Sequence, residues 1–576
     1  MNAKRLLAYY ERIADAPDAI ARLRRFILDL AVRGKLVPQD AGDEPASELL
    51  KRIGKEKARL VKAGEIRNPK PAPALAETPF PIPKDWRWSQ IVEIGVLSPR
   101  NEAPDAIDAS FVPMPLIASE YGVANEHEIR PWGEIKKGYT HFAEGDVGLA
   151  KITPCFENGK STVFRNLTGG IGSGTTELHI VRPLFVDQDY ILLFLKSPHF
   201  IESGIPKMTG TAGQKRVPTE YFAHSPFPVP PLAEQHRIVA KVDELMALCD
   251  RLEAARAGRE AARDRLAAAS LARLNAPDPE TFHDDARFAL GALKALTTRP
   301  DQIKQLRQTI LNLAVRGKLV PQDAKDEPAT ELLKAISKTR KRLYSEKKIP
   351  KPKELPSIDE IELPFTLPFG WAWTMLGDLC FQVSDGPHFS PQYVTPEQGV
   401  PFLSTRNIRP NGFDLGTVKY VSRADHEEFC KRIRPEKDDI IYTKGGTTGI
   451  AKVNDLDFEF SVWVHLAVLR IEKKRLFPRY VELALNSPHC YEQSQRYTQG
   501  TSNFDLGLTR MIKITIPLPP LAEQLRIVAK VDALMALCDR LEASLSAAGD
   551  TRRRLLDALL AEALTPADAR EMEAAE

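Results

Sequence analysis

The feature that most constrains the fold is that long parts of the chain occur twice. Residues 30–51 (LAVRGKLVPQDAGDEPASELLK) return at 313–334 as LAVRGKLVPQDAKDEPATELLK, and residues 230–254 return at 519–543 with only two changes. A solenoid stacks at least about three short repeats, so two widely separated copies do not predict one. The sequence instead predicts an internal duplication of a larger unit.

A fainter copy lies between these blocks. Trp86 and Trp88 match Trp371 and Trp373. Further on, a tyrosine, a Ser-Pro-His triplet and a Gly-Thr pair recur at one constant offset: Tyr190, 197–199 and 210–211 match Tyr480, 487–489 and 500–501. The order of elements is therefore helix, globule, helix, helix, globule, helix.

This order predicts how the ends of the chain meet. In the middle, a PPLAEQ helix precedes an LAVRGKLVPQ helix. A second such pair forms only if the C-terminal PPLAEQ helix meets the N-terminal LAVRGKLVPQ helix. We therefore expect the termini to pack together, in a pseudo-twofold cyclic arrangement with two equivalent spacers.

The repeated helical blocks carry heptad seams. Apolar residues of the first long block follow alternating spacings of four and three: Ile238, Val242, Leu245, Cys249 and Leu252. The second long block repeats the pattern from Ile527 to Ala548. Such seams are typical of antiparallel or coiled-coil helices packed within one chain. Cys249, which recurs as Cys538, is expected to be a small buried hydrophobe rather than a reactive thiol.

Between the helices, Pro-rich segments precede short β-like runs broken by Gly, Asn and Thr turns, which predicts an α+β fold. The overall expectation is two α/β domains separated by helical spacers. The predicted segments are an N-terminal helical repeat or distal spacer (1–66), a Pro-rich linker (67–84), a first globular domain (85–230), a central helical spacer (231–345), a second Pro-rich linker (346–370), a second globular domain (371–520) and a C-terminal helical repeat (521–576).

Composition excludes several classes of protein. With 43% hydrophobic and 27% charged residues the chain is typical of globular proteins, and no apolar run approaches the roughly 20 residues of a membrane span. The N-terminus lacks the apolar stretch of a signal peptide. Six cysteines without a CxxC pair predict neither a zinc ribbon nor a disulfide framework, so a cytoplasmic location is expected. A net charge of +3 means that any affinity for DNA depends on local patches.

Several motifs together resemble the specificity subunits of type I restriction–modification systems. They are GDVGLAKITPCFENGK (145–160), DGPHFSPQYV (385–394), GVPFLSTRNI (399–408), KGGTTG (444–449), and the twice-used PPLAEQxRIVAKVD and LAVRGKLVPQ. The resemblance covers nearly the whole chain. It implies two target-recognition domains, each reading half of a bipartite sequence in double-stranded DNA, and helices that act as a ruler and as the dock for two methyltransferase subunits.

The same resemblance implies a non-catalytic subunit without a cofactor of its own, in a complex that methylates adenine. Nuclease-translocase subunits are expected to join it. S-adenosylmethionine, ATP and Mg²⁺ are expected in those partner subunits, and no membrane partner is expected.

A DNA-binding domain needs basic groups for phosphates and amide or guanidinium groups for base edges. Turn-rich segments of both globules supply them. The candidates in the first globule are Lys151, Thr153, Asn158, Lys160, Gln214, Lys215 and Arg216. The candidates in the second globule are Arg406, Asn407, Arg409, Lys444, Thr447, Gln499, Ser502 and Asn503. Ordinary hairpin turns remain the alternative for the Gly-rich loops among them.

Enzyme functions have weaker support. The GKS of 159–161 lacks the first glycine of a phosphate-binding loop, because Pro154 stands there, and no methyltransferase amine-binding motif occurs. Asp105 with Glu134 and Lys136 mimics the PD-ExK pattern of metal-dependent nucleases, but the second globule has no counterpart. A coiled-coil scaffold that does not bind DNA is a third possibility. His388 is expected to be structural.

Overall fold

The computed structural model describes residues 16, 18–68, 71–75, 77–211, 213–501 and 504–564. The chain divides into two compact units, Met1–Arg259 with Ala548–Glu576 (unit 1) and Glu260–Ala547 (unit 2). Both boundaries fall within helices of 44 residues. Each long helix therefore begins in one unit and ends in the other.

The helices alternate between long spacer helices and short helices of the globules. They are α1 (Ala19–Val32), α2 (Ala46–Lys62), α3 (Ile91–Ile94), α4 (Trp132–Ile135), α5 (Gln188–Lys196), α6 (Pro198–Gly204), α7 (Thr219–His224), α8 (Leu232–Asn275), α9 (Phe282–Gly291), α10 (Leu293–Leu296), α11 (Pro300–Val315), α12 (Ala329–Ser345), α13 (Leu376–Leu379), α14 (Arg423–Cys430), α15 (Pro478–Leu485), α16 (Pro488–Tyr497), α17 (Leu508–Met511) and α18 (Leu521–Leu564). None of the helices in the described ranges has the length and apolar character needed to cross a bilayer.

The strands are short and lie between the helical blocks. They are β1 (Arg87–Gln90), β2 (Gly95–Leu97), β3 (Asp108–Val112), β4 (Glu128–Pro131), β5 (Thr140–Ala143), β6 (Val147–Ala150), β7 (Ser161–Val163), β8 (Ile171–Gly174), β9 (Leu178–Pro183), β10 (Pro226–Val229), β11 (Ala372–Met375), β12 (Cys380–Asp385), β13 (Tyr393–Val394), β14 (Gly399–Leu403), β15 (Ile408–Arg409), β16 (Gly412–Phe413), β17 (Lys419–Ser422), β18 (Ile440–Thr443), β19 (Ala451–Val453), β20 (Ser461–Val462), β21 (Leu466–Ile471) and β22 (Thr515–Leu518).

Each unit has one four-stranded sheet with the same strand order and a second sheet of four strands. A four-stranded antiparallel sheet has the order β2-β9-β6-β7 in unit 1 and β12-β21-β18-β19 in unit 2. A second sheet of four strands in each unit contains one parallel pair, β3 with β8 or β14 with β20. The first and last strands of each globule pair with each other, β1 with β10 and β11 with β22. The predicted α+β class and internal duplication are confirmed.

The repeated Tyr and Ser-Pro-His residues have local structural roles: the serines cap helices, and the tyrosines bond a helix to a strand. Ser197 and Ser487 accept hydrogen bonds from backbone amides in the first turns of α6 and α16, each followed by proline at the first helical position. The hydroxyls of Tyr190 and Tyr480 donate to the carbonyls of Pro228 and Pro517, at 2.9 and 2.6 Å. These bonds fix the same helix pair against the same strand in each unit.

Each unit also contains an equivalent set of three helices. In unit 1, α1 packs beside α8, where Arg24 pairs with Asp250 and Glu253, and beside the end of α18, where Ala16 and Ala19 are buried against leucines 556 and 559. In unit 2, α11 takes the place of α1: Arg307 pairs with Asp539 and Glu542 of α18. The predicted packing of the termini is therefore confirmed, and the heptad-seam residues Ile238, Val242 and Cys249 are buried.

The repeated Glu of PPLAEQ is the centre of an anchor at the start of each long helix. The Glu234 carboxylate accepts hydrogen bonds from the Trp86 indole at 3.0 Å and from the Gln39 amide at 2.9 Å. Glu523 accepts the same two bonds in unit 2, from the indole of Trp371 and the amide of Gln322 at 2.9 and 3.0 Å. Burial raises the pKa of both carboxyls.

The residues beside this glutamate complete the anchor. The amides of Gln235 and Gln524 accept from the backbone N–H of Asp187 and Phe477, both at 2.9 Å. Arg237 and Arg526 pair with Asp43 and Asp326, both at 2.7 Å. The anchor therefore joins three segments that the sequence repeats: the PPLAEQ helix start, the VPQD turn and the first Trp of each globule.

The anchor yields a stability prediction. Glu523→Ala leaves the buried indole N–H of Trp371 without its acceptor, while the amide of Gln322 keeps the Gly317 carbonyl at 3.0 Å. We expect the free energy of unfolding of unit 2 to fall by about 1–3 kcal/mol. Glu523→Gln keeps an acceptor oxygen and should lose less. Urea denaturation of the full chain, followed by tryptophan fluorescence, measures both.

The matched control is Glu244→Ala, which places on α8 the residue that α18 has at Ala533. Glu244 is exposed, so this change should alter the free energy of unfolding by less than about 0.5 kcal/mol. Equal losses in Glu523→Ala and Glu244→Ala would contradict the anchor.

Candidate nucleic-acid interface

In unit 1 the candidate residues gather where β6 ends. The Lys151 backbone is held on both sides, since its N–H donates to the Glu177 carbonyl at 2.9 Å and its carbonyl accepts from Val217 at 2.8 Å. Two residues on, the Thr153 N–H donates to the Lys215 carbonyl at 2.9 Å. The segment 151–160 therefore lies against the hairpin 209–217, and we call these two segments the first loop pair.

Unit 2 repeats this backbone frame where β18 ends. The Lys444 N–H donates to the His465 carbonyl at 2.8 Å, and its carbonyl accepts from Leu506 at 2.7 Å. The Gly446 N–H donates to the Phe504 carbonyl at 2.9 Å. Segment 444–449 and the described residues 499–501 and 504–506 form the second loop pair. Of the candidates in the second globule, Lys444, Thr447 and Gln499 lie in this loop pair, at a place equivalent to that of the first globule's candidates.

Side chains of the first loop pair differ in their availability. Asn158, Gln214 and Lys215 are exposed. The guanidinium of Arg216 instead donates two hydrogen bonds, both of 2.8 Å, to the Glu177 carboxylate, which lowers the pKa of Glu177.

Of the other three polar candidates of this loop pair, Lys151 is half-buried, and Lys160 and Thr153 are turned inward. The Lys160 ammonium donates to the Met114 carbonyl at 3.1 Å. The Thr153 hydroxyl is buried without a hydrogen-bond partner among the described residues. Asn158, Gln214 and Lys215 therefore remain as the first loop pair's polar candidates whose side chains reach solvent freely.

Lys444 in the second loop pair is buried. Its ammonium lies 3.1 Å from the Val464 carbonyl, 3.1 Å from Asp505 and 3.4 Å from Asp385. Only 7% of its side chain is exposed, so the direct phosphate or base contact expected from the sequence would require it to leave three partners. This geometry makes Lys444 a residue that positions the loops.

Asp385, which the sequence did not indicate, contacts three basic side chains. Besides Lys444 it binds Arg432 at 2.6 Å and His388 at 3.3 Å. His388 is thus held in a structural contact, as expected. The only sequence feature that could have indicated Asp385 is its position at the start of the DGPHFSP segment. Its partners Arg432 and Lys444 lie far along the chain.

The other candidates of unit 2 also divide into buried and exposed residues. Asn407 is buried, with its amide oxygen accepting from Ser404 and its amide nitrogen donating to the Asp414 carbonyl, both at 2.9 Å. Arg406 and Arg409 are exposed, with Arg409 3.5 Å from Asp414. Thr447 and Gln499 are also exposed. Ser502 and Asn503 lie outside the described residues.

A duplicated ion pair supports the sheet beneath each loop pair. Arg182 binds the buried Asp146 through two contacts of 2.9 Å, and Arg470 binds the buried Asp439 at 2.8 Å. Burial raises the pKa of Asp146, and Arg182 offsets part of this effect. These pairs hold β9 to the turn before β6, and β21 to the turn before β18.

The nuclease-like residues have a different arrangement. Lys136 forms an ion pair with Asp105, while Glu134 is exposed on α4. Across the described ranges, no three His, Cys, Asp or Glu side chains converge as a metal-ligand set. The PD-ExK pattern therefore lacks the geometry of a metal site in this part of the chain.

Comparison with known proteins identifies a matching family and several relatives of this chain. Residues 368–548 match the type I restriction modification DNA specificity domain. The chain is 40% identical over 553 residues to the specificity subunit of the Escherichia coli type I restriction enzyme EcoAI, covering 94% of this chain and 93% of that protein. The EcoEI specificity subunit of Escherichia coli is 39% identical over 563 residues, covering 95% and 94%.

Among solved structures, the HsdS subunit from Thermoanaerobacter tengcongensis is 20% identical, covers 85% of this chain and 99% of that chain, and has a TM-score of 0.46. The identity to the two Escherichia coli subunits extends over nearly the full length of each partner in the comparison. The chain belongs to the family of type I restriction enzyme specificity subunits.

Proposed function

We propose that this chain is the non-catalytic DNA-recognition subunit of a type I restriction–modification complex, and that it binds a bipartite DNA sequence. The observation that carries the proposal is the duplicated loop pair. Each unit presents the same backbone frame with different exposed side chains, Gln214 and Lys215 in one and Thr447 and Gln499 in the other. Base edges are distinguished by the side chains that meet them, so such a frame suits two different half-sites.

In this proposal segments 85–230 and 371–520 are the two recognition domains, and the long helices are the spacer between them. Exposed cations such as Lys215, Arg406 and Arg409 neutralise phosphates, while exposed amides such as Gln214 and Gln499 face base edges. Buried polar residues hold the loops in shape. The division follows from exposure, because a side chain with all its polar atoms already bonded gains little from DNA.

The equivalent helix sets support two equal docking places for two methyltransferase subunits, with nuclease-translocase subunits joining that core. We place S-adenosylmethionine, ATP and Mg²⁺ in those partners. The complex would act where the chromosome lies, in the cytoplasm.

A domain exchange tests the proposal. Replacing 371–520 with the corresponding domain of a relative should change one half of the methylated sequence and leave the other half and the gap intact. Replacing 85–230 should change the opposite half. Sequencing methylated DNA from cells that carry each hybrid with its partner subunits gives the answer. A single exchange that altered both halves would refute two independent recognition domains.

The contrast between Lys215 and Lys444 gives a second prediction. If Lys215 contacts phosphate, Lys215→Ala should lower the slope of log affinity against log salt by about 0.9. Lys444→Met should leave this slope unchanged, because its ammonium is buried. Lys444→Met should instead lower the free energy of unfolding of unit 2, because it removes the ion pairs of Lys444 with Asp505 and Asp385. The loss should be about 1–3 kcal/mol, because Asp385 keeps Arg432 as a partner. Salt titration of DNA binding and urea denaturation measure the two effects. A salt slope reduced by Lys444→Met would return Lys444 to the phosphate-contacting set.

The continuous helices give a third prediction. Four residues inserted after Glu253 in α8 and after the equivalent Glu542 in α18 lengthen each helix by about 6 Å and nearly complete one turn. DNA rises about 3.4 Å per base pair. Helices parallel to the duplex would add nearly two base pairs to the gap, and inclined helices about one.

The control for this experiment is a four-residue insertion in the Pro-rich linker after Lys353, which should leave the gap unchanged. Methylated-motif sequencing measures the gap in both variants. An unaltered gap with full activity in the helix variant would mean that these helices serve only as a dock.

A further inference from the structure

The two loop pairs place chemically opposite side chains at one equivalent backbone position. The carbonyl of Lys215 accepts from Thr153, and the carbonyl of Phe504 accepts from Gly446, both at 2.9 Å. The next residue in each case, Arg216 or Asp505, bridges back to the start of its own hairpin, at Thr209 or Gln499. Position 215 in unit 1 is therefore position 504 in unit 2, with a lysine in one and a phenylalanine in the other.

Phe504 is an exposed apolar residue on a hydrogen-bonded backbone. Its side chain is 49% exposed. Its carbonyl is bonded to Gly446, and the N–H of the following Asp505 donates to Gln499 at 2.8 Å. The backbone that carries the ring is therefore hydrogen-bonded at the Phe504 carbonyl and at the Asp505 N–H. A rigid aromatic side chain loses little conformational entropy when it binds.

The charges around Phe504 favour a polyanion. Asp505 is bound by Lys444 at 3.1 Å and by Arg510 at 3.5 Å. Asp385 is bound by Lys444 and by Arg432. Three cationic side chains thus pair with two carboxylates, which leaves this cluster with a net charge of +1. An apolar ring beside a cluster whose carboxylates are paired suits DNA better than an apolar protein surface.

We propose that Phe504 contacts the apolar surface of a base in the second half-site, at the position where the first recognition domain presents Lys215 to a phosphate. This inference rests on the proposed DNA-binding function and names one residue that makes the two half-sites differ. Apolar side chains recognise the methyl group of thymine in the major groove, and they also pack against an unstacked base step. Both contacts use the same chemistry, namely apolar base surface removed from water.

The experiment uses the full chain in complex with its methyltransferase partner. The probe is a duplex carrying the sequence that the wild-type complex methylates, together with duplexes altered in one half-site at a time. Phe504→Ala should weaken binding to the intact duplex roughly tenfold or more, without changing the salt slope, because no phosphate contact is lost. Phe504→Leu, which keeps apolar surface, should retain part of the affinity.

Changes to the DNA distinguish contact with a thymine methyl group from packing against an unstacked base step. Replacing thymines of the second half-site with uracil, one at a time, removes single methyl groups. If Phe504 contacts a methyl group, one replacement weakens wild-type binding but has no further effect on Phe504→Ala. If it enters a base step, 2-aminopurine placed there brightens on binding wild type and not Phe504→Ala.

The matched control is Phe288→Ala, a phenylalanine on α9 of the same unit that is 59% exposed. It should leave affinity and half-site preference unchanged. The inference is overturned if Phe504→Ala binds within twofold of wild type, if it affects both half-sites equally, or if it weakens assembly with the methyltransferase instead of DNA binding. A wild-type complex without any sequence preference would refute the proposed function itself.

Discussion

The buried glutamate at the start of each long helix is the interaction on which the rest of the structure depends. Glu234 and Glu523 each accept hydrogen bonds from a tryptophan indole and a glutamine amide that come from separate repeated segments. A carboxylate buried at this depth is stable only when such donors surround it. One group therefore fixes the direction in which a 44-residue helix leaves its globule.

On this frame the two units differ in what they expose. The strand ends, the hairpins and the ion pairs beneath them are equivalent, but the outward side chains at matched positions are not. A duplicated backbone can thus carry two different recognition surfaces, since changing an exposed residue such as Lys215 or Phe504 leaves the bonded frame intact. Substitution at these exposed positions should lower the stability of the fold little. Substitution at Glu234, Asp146 or Lys444 should lower it more, because a buried partner would be left unpaired.

The sequence predicted the features that repeat or have a period. The duplication, the buried heptad seams and the meeting of the termini followed from motif order and apolar spacing. It could not predict which candidate side chains turn inward. Asp385, which pairs with Lys444, lies 59 residues before it in the chain, and Asn407 forms its hydrogen bonds within its own turn. Residue type and the turn-rich context therefore indicated DNA contact for both Lys444 and Asn407. The β-like run of residues 462–471 does not form one strand, because it is interrupted at 463–465, where the Trp463 indole donates to the Phe389 carbonyl.

The central claim is that each loop pair meets one half of a divided DNA sequence. Photocrosslinking tests it most directly: 5-bromouracil is placed in one half-site at a time, the full complex is irradiated, and the crosslinked peptides are identified by mass spectrometry. The account predicts that one half-site crosslinks to 151–160 or 209–217 and the other to 444–449 or 499–506. Crosslinks from a single half-site to both loop pairs, or from both half-sites only to the long helices, would contradict it.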